Sequence, residues 1–168
     1  MFANSGVTFS RIYNELGTLQ TAKEMFYLCS ANHWYGHLPN LNNGSGMFRA
    51  CFNLEHFASG TNKGNGTELN AEAIDMDSLT DGSRMFEDCN KLEYFCAHCD
   101  NLKIAYSMFK GCPKLKKVNF ASGLTSLQNA DNMFDGCSEL TFTCNSNYHE
   151  MHQAVHMFSN SYKVGTTD

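Results

Sequence analysis

Three groups of residues in this chain carry side chains suited to metal ligation or ligand recognition. Cys96-Ala97-His98-Cys99 resembles half of a zinc site, and His33-Trp34-Tyr35-Gly36-His37-Leu38-Pro39, which sets the single Trp between two His, offers a sugar- or protein-binding patch in which Trp34 is expected to fill the core and Tyr35 and the His residues stay open. His149, His152 and His156 fall within about 60° of one another on a helical wheel, where an i, i+4 pair can catch a divalent ion. Zinc in a closed site takes four ligands, however, and a lone C-x-x-C supplies two. Motifs of enzyme chemistry are missing: there is no G-x-S-x-G, no H-E-x-x-H, no phosphate-cradling Gly loop and no dinucleotide fingerprint. His149-Glu150 lacks the second His of a zincin. No enzyme and no cofactor is expected.

The elements that position these residues are set by a repeat. Met-Phe occurs seven times, at Met1, Met25, Met47, Met85, Met108, Met133 and Met157, with intervals of 24, 22, 38, 23, 25 and 24 residues. Periods of this size are the signature of stacked units. Four residues after the Met stand Cys29, Cys51, Cys89, Cys112 and Cys137, with Ser5 and Ser161 at the outer copies. Three before it stand Ala22, Gly44, Gly82, Ala105, Ala130 and Ala154, and six before it Leu19, Leu41, Leu79, Leu102, Leu127 and Met151. Leu54, Leu92, Leu115, Leu140 and Val164 follow it by seven, whereas Asn32 and Thr8 break that column.

These columns predict a coil of two parts. Ala130, Met133, Phe134 and Cys137, at i, i+3, i+4 and i+7, predict one face of a short helix. Leu140-Thr-Phe142-Thr-Cys144 alternates as a short strand does, and Leu115-Lys-Lys-Val118-Asn-Phe120 turns its apolar residues inward. A unit this small cannot bury its apolar side alone, so copies stack. The expected fold is an α/β solenoid, a right-handed pile of about seven coils, each with one short parallel strand and one short helix. It forms a single repeat domain over residues 1–168, with a polar Gly/Asn-rich loop inserted at 59–73 in the 38-residue interval. Neither end shows a polar cap, so a longer parent chain is expected.

The register also reinterprets the candidate chemistry. Cys99 shares a column with Leu16, Leu38, Met76 and Leu124. Cys144 shares one with Ile12, Trp34, Phe95 and Phe120, so neither Cys calls for a metal. The five in-register Cys, with Phe48, Phe86, Phe109 and Phe134, form a structural ladder of buried free thiols beside stacked rings. Charge excludes other classes. The net charge is −5, which leaves no basic footprint for nucleic acid. No apolar run approaches the roughly 18 residues of a membrane span, and no secretory signal is visible at residue 1 onward.

Ser126-Leu127-Gln-Asn-Ala130-Asp-Asn-Met133-Phe134-Asp-Gly136-Cys137-Ser-Glu-Leu140 resembles the BspA-type leucine-rich repeat, most closely over residues 85–140. The resemblance implies a leucine-rich-repeat solenoid and a protein displayed at a cell surface that binds host or microbial ligands. The expected function is a non-enzymatic adhesion module that holds a protein or glycan on its strand face. The alternative is a structural segment of a larger assembly, such as a phage tail or head fibre, held by neighbouring chains. Candidate ligand contacts are the outward strand residues His56, Tyr94, Lys117, Asn119 and Thr143.

Overall fold

The computed structural model describes residues 2–3, 16–30, 32–58, 72–121, 123–141 and 151–161. Five short strands lie within them: β1 (His33–Trp34), β2 (His56–Phe57), β3 (Ile74–Asp75), β4 (Tyr94–His98) and β5 (Lys117–Phe120). Every pairing is parallel. β1 pairs with β2, β2 and β3 both pair with β4, and β5 takes the other edge of β4. Phe57 and Ile74 therefore face Phe95 and Ala97, so one coil contributes its strand in two pieces. Residues 59–71, most of the expected loop, lie outside the described residues.

A second parallel ladder passes through the Met-Phe segments, bridging Thr21, Asn43, Asp81, Ile104, Asn129 and Gln153 in turn. The described residues thus form a solenoid-like stack of coils with one parallel sheet. The short helix expected in each coil is absent from them: hydrogen-bonded turns occupy 23–28, 45–50, 83–88, 106–111, 131–136 and 155–160.

The reason lies in the backbone. The residues just before the Met (Glu24, Gly46, Arg84, Ser107, Asn132, His156) and three after it (Leu28, Ala50, Asp88, Gly111, Gly136, Asn160) all have φ between 50° and 79°. A left-handed residue at every fourth position ends any α-helical run. Peptide groups then alternate between two uses. Met47 N, Arg49 N and Cys51 N donate to Gly44 O, Gly46 O and Phe48 O, closing turns within the coil. Gly44 N, Gly46 N, Phe48 N and Ala50 N donate to Asp81 O, Ser83 O, Met85 O and Glu87 O of the next coil, at 2.7–2.9 Å. An α-helix would use those same N–H groups internally and leave nothing to hold the neighbouring coil.

Glycine matters most at Gly111, where φ is +71° and a Cβ would collide with the Asp88 carboxylate one coil back. The small residues three before the Met serve a different end. A Cβ on Gly44 would sit 3.2 Å from Met85 Sδ and 3.3 Å from Leu79 Cδ1, so the next coil's Met and Leu close directly onto this column.

Two aromatic columns fill the interior. Phe2, Phe26, Phe48, Phe86, Phe109, Phe134 and Phe158 stack with centroids 5.4–5.6 Å apart and planes within 14° of parallel. Trp34, Phe57 and Phe95 stack behind the strands and meet the first column edge-on, as Phe57 does Phe86 at 4.8 Å. Offset-stacked and edge-to-face contacts are the favoured ring geometries, each worth about 0.5–1.5 kcal/mol beyond area burial. No helix among the described residues is long and apolar enough to cross a membrane.

Candidate ligand-binding face

The outer surface of the sheet begins at the Leu column. Leu54, Leu92 and Leu115 are fully buried, and so are Phe57 and Phe95 three residues on, so the two residues between each pair reach the surface. Register then fixes one row across four strands: His33 opposite His56, His56 opposite Tyr94, and Tyr94 opposite Lys117. Three expected contact residues, His56, Tyr94 and Lys117, stand side by side in it. Asn119 lies two residues further along β5, opposite Cys96, and donates from Nδ2 to the Cys96 sulfur at 3.4 Å. Thr143 lies outside the described residues.

Rings dominate one end of the row. His33 and His56 are 5.0 Å apart between centroids, Tyr94 meets His56 edge-on at 5.4 Å, and Tyr35 lies 5.9 Å from His33. A charged row flanks it: Glu93 N donates to Glu55 O, and Lys116 N donates to Glu93 O. Lys116 Nζ donates to Glu93 at 2.9 Å, and that bond raises the lysine's pKa. The Glu55 carboxylate lies 3.9 Å from His33 Nε2. Partial burial lowers the pKa of His56, and the neighbouring His33 lowers it further. His33 Nδ1 is buried with no hydrogen-bond partner among the described residues. The face thus offers adjacent rings, two carboxylates and two lysines within one short span.

His33 is the member that counting misses. Asn32 breaks the Leu column, and the coil from Met25 reaches its strand one residue sooner than the others. Trp34 points inward at 1 % exposure and donates from Nε1 to Gly36 O at 2.8 Å, so its bulk belongs to the core. One column needs correction. Phe120 was expected level with Phe95, but Phe95 pairs with Val118, and Phe120 with Ala97. The interval from Met108 to Met133 is the longest ordinary one, and the extra length falls after the strand.

The ladder cysteines are buried, and no disulfide joins them to one another. Their role exceeds that of small hydrophobes. Each thiol donates to the Phe carbonyl one coil back: Cys51 to Phe26, Cys89 to Phe48, Cys112 to Phe86 and Cys137 to Phe109, at 3.0–3.1 Å. Cys29 reaches Phe2 O at 2.9 Å, and the Ser161 hydroxyl makes the same bond to Phe134 O at 2.6 Å. The exchange of Cys for Ser in that column was the sequence signal of a required donor. Burial pushes the thiols of Cys51 and Cys137 up to about 12, which makes thiolate chemistry negligible there.

Cys96 and Cys99 do not form half of a zinc site. Cys99 faces the core, fully buried, while Cys96 lies on the outer row against Asn119. Cys144 and His149 lie outside the described residues, and both His152 and His156 are exposed.

Against known proteins, the sequence profile of the BspA type leucine rich repeat region matches residues 75–165 in six copies, over half of the chain. No curated protein and no solved structure matches it.

Proposed function

Because the chain belongs to the BspA-type leucine-rich-repeat family, we propose that it is a non-enzymatic binding module displayed at a cell surface, recognising a protein or glycan through its strand face. One observation carries the reading: the alignment of His33, His56, Tyr94 and Lys117 in a single outward row. A core needs only the inward residues of a strand, and the same fold serves many ends, so function has to reside in what the outward positions present. Here they present adjacent rings at one end and cations at the other. Tyr and other aromatic residues anchor recognition surfaces because they bring large area at low entropic cost.

The test uses the whole chain, labelled and passed over arrays of host and microbial glycans and immobilised surface proteins. A ligand captured by the parent chain and lost by Tyr94→Ala/Lys117→Ala, with an unchanged thermal melt, supports the reading. Failure to capture anything, or capture that the double variant retains, overturns it.

A further inference from the structure

At the other end of β4 lies a group that the repeat does not require. Asp75 of β3 pairs with His98 of β4, and two residues further along each chain come Asp77 and Asp100. The backbones there are tied by Met76 N donating to His98 O at 3.1 Å and Asn101 Nδ2 donating to Asp77 O at 2.8 Å. One carboxylate oxygen from Asp77, one from Asp100 and a ring nitrogen of His98 all lie within 4.8 Å of one another. Zinc-class ions sit about 2.0–2.2 Å from such donors, so one ion would draw the three side chains slightly together.

Two further observations bear on it. No Lys or Arg among the described residues forms an ion pair with Asp75, Asp77 or Asp100, a condition they share with Asp81, Asp88 and Asp131. The stack has no use for the pair either. Asp77 and Asp100 stand eight residues before their Met, a position held elsewhere by Gly17, Pro39, Thr125 and His149. The imidazole separates this set from an acidic patch. Calcium and magnesium favour all-oxygen shells, whereas zinc and its first-row neighbours accept imidazole together with carboxylate.

We propose that Asp77, His98 and Asp100 bind one divalent transition-metal ion of the zinc class, which clamps the third coil to the fourth. Water completes the shell. The site is independent of the ligand row, so it stands or falls separately from the proposed function.

The metal-free full chain, titrated with Co2+ as a spectroscopic probe, tests this. One equivalent is expected to bind with visible bands of oxygen and nitrogen ligation and without thiolate charge transfer. Zn2+ is expected to raise the melting midpoint in step with its concentration. Asp77→Asn and His98→Gln should each weaken binding at least about tenfold, and Asp100→Asn, at an exposed side chain, should do so with no change in the metal-free melt. A thiolate band, affinity unchanged in these variants, or equal stabilisation by Ca2+ would overturn the proposal.

Discussion

The thiol of Cys112 donates across 3.0 Å to the carbonyl oxygen of Phe86, which also accepts the N–H of Cys89 in its own coil. A side chain of one coil thereby secures the turn of the coil before it. Cys112→Val keeps the volume and removes the donor. A typical intramolecular hydrogen bond contributes about 0.5–1.5 kcal/mol net, so a loss of about 1 kcal/mol in urea unfolding is expected. Cys112→Ser, which keeps a donor as Ser161 does, should lose less. If Val matched or exceeded Ser, the bond would count for nothing.

The small column predicts a larger effect. Ala105 is fully buried three residues before Met108, where the equivalent Gly82 has Leu102 Cδ1 and Met108 Sδ of the next coil within 3.3 Å of its missing Cβ. Ala105→Leu should destabilise by about 1–3 kcal/mol or more through overpacking. Differential scanning calorimetry checks it, and an unaltered midpoint would mean the column does not face the next coil.

Gly111→Ala should cost more than Ala normally costs, since φ is +71° and the new methyl meets the Asp88 carboxylate. Replacing Gly by Ala at positive φ destabilises rather than stabilises. The partner is testable in a double-mutant cycle: Asp88→Gly should recover part of the loss, because contacting residues couple. Strictly additive effects would place the clash elsewhere.

Stability should also depend on pH through His56. Its folded pKa is lowered from the usual 6.5 by burial and by His33. The unfolded chain therefore takes up its proton first. The contribution is whole above about 6.5 and is lost as pH falls from there toward the lower folded value. Denaturant midpoints measured from pH 8 to 5 should decline, and His56→Gln should flatten the decline. A variant that declines as steeply as the parent would assign the effect to other groups.

The sequence made the stack legible and disguised its local geometry. Apolar residues at i, i+3, i+4 and i+7 mark a helical face, but four-residue turns joined by left-handed residues put side chains at the same spacing. The residues that adopt positive φ include Glu24, Arg84 and Ser107, which have no preference for it. Gly111, Gly136, Asn132 and Asn160 hint at the turn, yet each alone reads as a cap or loop. Tertiary bonding to the next coil decides the conformation, and no single coil encodes that. In the ligand row, His56, Tyr94 and Lys117 follow from counting two residues past Leu54, Leu92 and Leu115. His33 stood out beside Trp34 and Tyr35, but its place in the row did not follow from counting, because Asn32 removes the landmark. The Asp77, His98 and Asp100 group was half visible as His98 between two Cys, but the carboxylates come from two coils and meet only through pairing.

The divided strand of the third coil has a wider bearing. Phe57 and Ile74 are both held by β4, opposite Phe95 and Ala97, so one neighbouring strand sets the register of both pieces. For a connection whose ends are already fixed, doubling its length adds only about 0.6 kcal/mol of closure entropy. Evolution, or an engineer, can therefore lengthen, shorten or exchange that connection almost freely, and a foreign peptide spliced there would be carried without disturbing the coils on either side.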